Sequence, residues 1–314
     1  MKKSAFFLVA CLCSQIVFSQ SKLVSIDSAM VKEHLYTLAS DTMEGRGNGT
    51  SGIEKAAQYI EEEFKRIGLS TYNGLPTYRQ NFVGKELNLF NVIGVLEGNS
   101  KKDEYVVISS HYDHLGIKKY GEGDLIFNGA DDNASGTTAV LTLAAYFAEL
   151  GTNERTIIFV AFTGEELGLL GSKHFGKNID PSKFIAGINI EMIGKQSSYG
   201  PKTAWISGFD RSDFGLIIQK NLIGTGYKLF PDPYPNQYLF FRSDNASLAR
   251  LGIPSHTFST TPVNTDIHYH KVTDEAETLN ISEITNTIEA IAIGTASIMK
   301  GDDTPTRVVI KEKK

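Results

Sequence analysis

The sequence contains almost no cysteine. Cys11 and Cys13 are the only two in 314 residues, and both lie in the N-terminal segment. If that segment is removed during export, the remaining chain has no thiol and can form neither a disulfide nor a thiolate metal site. Any metal ion must then be bound by histidine and carboxylate side chains.

Other features are also missing from the sequence. It has no run of basic residues and a formal net charge of −5, so nucleic acid is not an expected partner. After the N-terminal segment, no stretch is apolar over the roughly 20 residues that a transmembrane helix needs. With no internal repeat and no Pro/Ser-rich linker, the sequence predicts one domain over residues 22–300, followed by a loose C-terminal tail over residues 301–314. Its oligomeric state leaves no signature.

Residues 1–19 have the pattern of a signal peptide, which predicts a periplasmic or secreted protein. A short basic start precedes a mostly apolar stretch, and the small residues Val17 and Ser19 predict cleavage near Gln20. The alternative is a bacterial lipobox, LVAC, which would put a lipid on Cys11 and anchor the protein to a membrane surface.

Short apolar segments alternate with helical patterns along the rest of the chain. The predicted strands are residues 91–98, 105–111, 156–162, 184–190 and 204–208. The predicted helices are residues 26–39, 53–67, 134–150, 166–176, 212–223 and 282–299, with Asp27 and Ser282 as N-caps and Gly68 as a stop signal. Near-continuous apolar strands between helices predict an α/β domain whose central, mostly parallel sheet is covered on both faces.

Side chains that can bind metal ions follow several of these strands. After the strands come His111, Asp113, His114, Glu165, Glu166 and Glu191, and two loops add Asp131, Asp132, His268 and His270. Ligands of α/β sheets bind beyond the carboxyl ends of the strands, so we expect these side chains to converge. Imidazole and carboxylate without thiolate suit a catalytic zinc site, and two histidines with three carboxylates suffice for two ions if one carboxylate bridges them. One acid then remains free to act as a general base.

Five segments in order resemble the M28 family of zinc aminopeptidases: HYDHLG, NGADDNASG, FTGEELGLLGS, NIEMIG and YHKVTDE. The glycine-rich segment EGRGNGTSG, residues 44–52, also resembles the N-terminal part of that family. The resemblance covers nearly the whole chain after the N-terminal segment. It implies a bacterial, secreted protein with a single catalytic α/β domain, whose mixed central sheet has the phosphorylase/hydrolase-like fold.

The resemblance implies a role for each of eight residues. Five match metal ligands: His111 and Glu191 on one zinc ion, His270 and Glu166 on the other, and Asp132 bridging both. Three match residues of the reaction: Glu165 as the general base, Asp113 as the group that orients His111, and Tyr269 as a hydroxyl that polarises the scissile carbonyl. Two positions depart from the family's pattern, since Glu191 is often Asp there and Asn245 is often His.

The implied function is a zinc-dependent exopeptidase that removes N-terminal residues from peptides. One alternative keeps the fold but cyclises N-terminal glutamine, as glutaminyl cyclases do with a single zinc ion. Another is a zinc- or peptide-binding module without catalysis, although such a protein would not need Glu165 beside five ligands. The preferred terminal side chain, and the choice between the amino and carboxyl end of a peptide, leave no signal in the sequence.

Overall fold

The computed structural model describes residues 25–310, so the predicted signal peptide, Cys11 and Cys13 lie outside the described residues. Seven α-helices are present in this part of the chain: α1 Ser28–Leu38, α2 Ser51–Ile67, α3 Gly136–Leu150, α4 Leu170–Lys177, α5 Phe214–Asn221, α6 Asn245–Ala249 and α7 Ile281–Lys300. The same residues form eleven strands: β1 Ser70–Thr71, β2 Arg79–Gly84, β3 Leu87–Leu96, β4 Lys101–His111, β5 Gly116–Ile117, β6 Ile126–Phe127, β7 Arg155–Phe162, β8 Phe184–Ile190, β9 Thr203–Ile206, β10 Lys228–Pro231 and β11 Ser255–Ser259. No helix between residues 25 and 310 is both long and apolar enough to cross a membrane.

Nine strands form one mixed sheet. Eight follow the order β1-β3-β7-β4-β8-β11-β9-β10, and the ninth, β2, pairs with the amino-terminal part of β3. The four central strands, β7, β4, β8 and β11, run parallel. β3 is antiparallel to β7, and β9 is antiparallel to β11. The predicted mixed α/β sheet is therefore confirmed, with its parallel part at the centre. Because the central strands share one direction, their carboxyl ends form a single edge of the sheet.

Helices cover both faces of the sheet. On β4, Val106 and Ile108 pack into one apolar cluster with α1, α2, α3, α5 and α7, whereas Val107 packs into a second cluster with α4 and α6. Every residue of β7 is buried. Burial on both faces explains why the central strands read as continuous apolar runs rather than as alternating patterns.

Several predicted helix ends agree with the structure and two do not. Asp27 caps α1, and Gly68 ends α2 in the left-handed conformation, with a φ of 89°. The predicted cap Ser282 is wrong, because Asn280 accepts from the backbone N–H groups of Ser282 and Glu283. The helix predicted from residue 166 begins only at α4, because the preceding residues form the turn that carries the two glutamates.

The chain after α7 is packed rather than loose. Arg155, at the amino end of β7, donates to the carbonyl oxygens of Ile298 and Asp303 and to Thr304. Val308 is buried. Residues 301–310 are therefore not a loose tail: the buried guanidinium of Arg155 holds residues 303 and 304, and the N–H of Val308 donates to the carbonyl oxygen of Gly252 at 3.1 Å.

Candidate metal centre

The carboxyl edge of the sheet brings the five predicted metal ligands together. Asp132, in the loop before α3, lies at the centre of the group. Its Oδ1 is 3.3 Å from His111 Nε2 at the end of β4, and its Oδ2 is 3.1 Å from His270 Nε2. Glu166 Oε1, after β7, lies 3.2 Å from the same His270 nitrogen. The two oxygens of Asp132 thus face two different imidazoles, as a bridging carboxylate would.

The geometry of these groups fits shared cations. His111 Nε2, His270 Nε2 and Glu191 Oε2 are buried atoms without a hydrogen-bond partner among the described residues. Two donors about 2.0–2.1 Å from one tetrahedral zinc ion lie roughly 3.3 Å apart, close to the separations between nitrogen and oxygen seen here. Buried lone pairs that face carboxylates and bond to nothing are costly unless a cation lies between them. The chemistry of the donor set therefore suits zinc.

Glu191 follows β8 and approaches the His111 side of the site. Its Oε2 is one of the unpartnered buried atoms, and its other contact is with Ser243, which is itself held by a hydrogen bond from Asn189 Nδ2 of 2.7 Å. Burial raises the pKa of Glu191 to about 7, and the negative charge of Asp132 acts in the same direction. A carboxylate in this environment gains strongly from a neighbouring cation.

The adjacent acids Glu165 and Glu166 have different surroundings. Burial raises the pKa of Glu165 well above its usual range, and the nearby carboxylate of Glu191 adds to this effect. Burial also disfavours the charge on Glu166, but contacts with His114 and His270 outweigh it and lower the pKa of Glu166. Glu165 is thus suited to holding a proton and Glu166 to remaining a charged ligand.

Asp113 contacts both of these acids through their backbone. Its carboxylate accepts hydrogen bonds from the backbone N–H of Glu165 at 3.2 Å and of Glu166 at 3.3 Å. His111 Nδ1 lies 3.1 Å from the carbonyl oxygen of Asp113 but 3.8 Å from its carboxylate. The expected orientation of His111 by Asp113 therefore runs through the backbone, while the carboxylate holds the turn that carries Glu165.

Tyr269 lies beside the centre without bonding to its acids. Its ring stacks on that of the neighbouring His270, with ring centroids 4.0 Å apart. Burial raises the pKa of Tyr269, so its hydroxyl stays protonated and able to donate. Tyr269, Asp132, Glu165 and Glu191 all line one cavity of about 270 Å³.

Two other candidates from the sequence lie outside the ligand group. Asp131 accepts from Thr261 and from the backbone N–H of Gly194, and it faces Lys195 at 3.5 Å. His268 contacts Thr273. Both residues support the loops around the centre, which leaves Asp132 and His270 as the members of each pair that face the other ligands.

The sequence assigned no role to His114, which the structure places in the centre. Its Nδ1 lies 3.0 Å from Glu166 Oε1, and together with Asp132 the three residues offer atoms close enough to share one metal ion. Its Nε2 is buried without a partner. The sequence feature that could have identified His114 is its position three residues after His111 in HYDHLG, at the end of a buried strand.

The glycine-rich segment, residues 44–52, also reaches the site. Arg46 is fully buried and donates to the carbonyl oxygens of Leu38, Tyr112, Asn128 and Gly129 at 2.6–2.8 Å. Two of these acceptors flank loops that carry candidate metal ligands, since Tyr112 follows His111 and Gly129 precedes Asp132.

Asn48, in the same segment, ties two further loops to each other. It donates to the carboxylate of Asp113 at 2.7 Å and accepts from Thr163 at 2.8 Å. With Arg46, the segment thus contacts each of the loops that follow β4 and β7 and precede α3. Glycine allows this close approach at Gly45, whose φ is 64° and where a Cβ would lie 2.5 Å from the carbonyl oxygen of Gly116.

A mixed sheet flanked by helices, with imidazoles and carboxylates converging at the carboxyl ends of its strands, defines an α/β protein with a candidate metal centre. The profile of peptidase family M28 matches residues 91–293, and the chain belongs to this family.

A curated relative in Pyrenophora teres f. teres, a probable zinc metalloprotease, is 30% identical over 195 residues, or 59% of this chain and 41% of that protein. The chain therefore spans less than half the length of this relative. A zinc aminopeptidase from Bacillus subtilis superposes with a TM-score of 0.71 at 16% identity, covering 93% of this chain and all of that one. The glutaminyl cyclase of Porphyromonas gingivalis superposes with a TM-score of 0.69 at 16% identity, covering 88% and 100%. These two superpositions establish the shared fold.

Proposed function

We propose that this chain is a zinc-dependent aminopeptidase that removes N-terminal residues from peptides. Membership of a peptidase family supports the reaction class. The observation that carries the proposal is the set of buried, unpartnered nitrogen and oxygen atoms on His111, His270 and Glu191 around Asp132. Asp132 and Glu191 also line a cavity. Glu165 lines the same cavity beside them.

The proposed centre holds two zinc ions. His111 and Glu191 would hold one, His270 and Glu166 would hold the other, and Asp132 would be shared by both. His114 is close enough to Glu166 to hold that carboxylate by a hydrogen bond. Bound zinc would polarise the scissile carbonyl and lower the pKa of the attacking water.

The other steps belong to side chains of the protein. Glu165 takes the proton of the attacking water and passes it to the departing amine, for which its raised pKa is suited. Asp113 holds the turn that positions Glu165. Tyr269, protonated and at the cavity wall, donates a hydrogen bond to the carbonyl oxygen on which charge develops.

We also propose that the protein is exported, with residues 1–19 as its signal peptide and residues 22–300 as the catalytic domain. N-terminal sequencing of the protein from its host tests this proposal. A start near Gln20 supports secretion or a periplasmic location, whereas a lipid on Cys11 would place the enzyme on a membrane surface.

A cyclase reaction on N-terminal glutamine is the second candidate, because the Porphyromonas gingivalis glutaminyl cyclase shares the fold. The experiment digests a peptide library with the zinc-loaded protein and identifies products by mass spectrometry. Loss of single N-terminal residues supports the aminopeptidase, loss of ammonia from N-terminal glutamine supports the cyclase, and binding without any product supports a non-catalytic module. Chelation should abolish activity and zinc should restore it, with metal analysis reporting two ions per chain.

A further inference from the structure

The cavity beside the candidate metal centre is lined by charged groups of both signs. Asp132, Glu165 and Glu191 contribute carboxylates. Arg242 is the one basic side chain among the described residues that line the cavity, and it follows the short turn before α6. At about 270 Å³ the cavity is slightly smaller than the usual 300–1,000 Å³ of ligand pockets, so it suits a single amino-acid residue rather than a length of peptide.

Arg242 is not used by the fold. Its recorded polar contact is with Gln237 Oε1, at 3.5 Å, and it forms no ion pair within residues 25–310. The side chain is exposed. Its neighbours Arg211 and Arg250, in contrast, lie over the rings of Phe240 and Phe241. An arginine at a cavity wall with neither a carboxylate nor a stacking partner has its hydrogen-bond donors available to a ligand.

Other donors in the cavity are also available. Trp205 lines it, and the indole N–H of Trp205 is buried without a partner among the described residues. Ser207 accepts from the backbone N–H of Thr257, which leaves its own proton free to be donated. Indole and guanidinium groups can only donate hydrogen bonds, so these lining residues suit a ligand that brings acceptor oxygens.

We propose that Arg242 binds a carboxylate of the substrate, and that the enzyme therefore prefers acidic substrates. This inference rests on the proposed aminopeptidase function. The amino group of the substrate's terminal residue would lie toward Glu165 and Glu191 and its acidic side chain toward Arg242. Met192, Leu239 and Val263 also line the cavity and would contact the methylene groups of glutamate. The same chemistry could come from the C-terminal carboxylate of a dipeptide, and the test separates these two sources.

The experiment measures kcat/KM for the p-nitroanilides of glutamate, glutamine, leucine and lysine. Glutamate and glutamine have nearly the same shape, so their ratio reports the charge. We expect glutamate to exceed glutamine by about 10-fold, the value of one charge-assisted hydrogen bond. Arg242→Gln should remove this difference, and Arg242→Glu should shift the preference to lysine. Arg250→Gln, a nearby exposed arginine outside the cavity lining, is the matched control and should leave all four rates unchanged.

A second pair of substrates, Leu-Gly and its C-terminal amide, tests the other source of the carboxylate. A preference for the free dipeptide that Arg242→Gln abolishes assigns Arg242 to the C-terminal carboxylate. Faster hydrolysis of leucine or lysine than of glutamate, together with equal rates on the dipeptide and its amide, would overturn the proposal while leaving the aminopeptidase intact. Equal loss on all substrates in Arg242→Gln would also overturn it.

Binding to a variant that does not turn substrate over separates this inference from the proposed function. Calorimetry on zinc-loaded Glu165→Gln should show tighter binding of Glu-Gly amide than of Gln-Gly amide, and the difference should vanish when Arg242→Gln is added. If this selectivity is present but no substrate is ever hydrolysed, the carboxylate site stands and the aminopeptidase function fails. If hydrolysis occurs without selectivity in binding or rate, the reverse holds.

Discussion

The two edges of the sheet each contain a buried arginine, and the two are used differently. At the amino edge, Arg155 bonds to two carbonyl oxygens near the end of the chain and to the carboxylate of Glu104 at 2.6 Å. At the carboxyl edge, Arg46 bonds to four carbonyl oxygens and, within residues 25–310, to no carboxylate. Both side chains satisfy loop carbonyls that water cannot reach.

The difference lies in where the acids are. Burial lowers the pKa of Arg46 to about 10, and the charges of Asp132, Asp274 and Asp113 oppose this decrease without bonding to the guanidinium. At the amino edge the acid neutralises the arginine. At the carboxyl edge the arginine organises the loops, and the oxygens of the acids remain available for a cation. A buried arginine can therefore hold the loops of a candidate metal centre in place without forming ion pairs with the carboxylates that would bind the metal.

The largest expected effect follows from replacing an acid at each edge. Glu165→Gln should retain the two proposed zinc ions but lose roughly 10²–10⁴-fold in kcat, the usual cost of a missing acid–base group. KM should change little. The control, Glu104→Gln, removes an acid from the opposite edge and should leave kcat unchanged.

Glu166→Gln sharpens the same test. It should lose zinc first and activity as a consequence, and excess zinc should partly restore its rate. Rescue of Glu165→Gln by zinc, or its purification without metal, would mean that the roles of the two glutamates are exchanged.

The second prediction replaces each buried arginine by methionine. Both variants should lose about 3 kcal/mol or more in the free energy of unfolding, because each unsatisfied buried carbonyl costs about 1–3 kcal/mol. Only Arg46→Met should also weaken zinc binding, by roughly 10–100-fold, as expected when support for ligands is lost. Chemical denaturation and competition with a zinc chelator measure the two effects.

The direction of the change in zinc affinity distinguishes a positioning role of Arg46 from an effect of its positive charge. Removing a positive charge near the site would by itself strengthen cation binding. Tighter zinc binding in Arg46→Met would therefore contradict a positioning role, and Arg155→Met should leave zinc affinity unchanged.

The third prediction concerns pH and the metal-free protein. Burial raises the pKa of Asp274 to about 7, and the close carboxylates of Asp132 and Glu166 raise the pKa of His270 to about 10. Both groups bind protons more tightly in the folded state, so their contributions are present at low pH and are lost as pH rises through these values. Stability should therefore fall between pH 5 and pH 9 in denaturation measurements.

Bound zinc should reduce the loss of stability at the higher pH values, because a metal ion replaces the proton on His270. Asp132 and Glu166, whose pKa values are lowered, contribute stability that is lost only on stronger acidification. A metal-free protein that became more stable from pH 5 to pH 9 would contradict this balance of charges.

The smallest expected effect compares a partly buried asparagine, Asn48, with a buried one, Asn153. Asn48 bonds to Asp113 and Thr163 near the centre, while Asn153 bonds to the carbonyl oxygens of Glu97 and Arg155 at the amino edge. Replacing either by alanine should cost about 1–2 kcal/mol in the free energy of unfolding. Only Asn48→Ala should lower kcat with little change in KM, since it releases the carboxylate that holds the Glu165 turn. Equal activity in the two variants would show that Asn48 does not help to position Glu165.

Much of the fold could be read from the sequence because local patterns determine it. The central strands are continuous apolar runs because both faces of the sheet are covered, and Gly68 ends α2 because it tolerates a left-handed backbone. The cap of α7 was misplaced by two residues, since Asn280 and Ser282 are both good capping residues and only backbone geometry distinguishes them. The C-terminal segment was taken as loose because its charged composition does not show that buried Arg155 needs its carbonyls.

The sequence by itself determined the sheet class, the family and the residue types available to a metal ion, because strand ends in an α/β fold deliver their next residues to one edge. The tertiary structure alone brought His114 against Glu166, linked residues 44–52 to three site loops through Arg46 and Asn48, and left Arg242 without a carboxylate partner in the described part of the chain. The contacts of His114, Arg46 and Asn48 join residues that are far apart in sequence. They depend on distances and on unpaired hydrogen-bonding groups, which no local pattern of residues encodes.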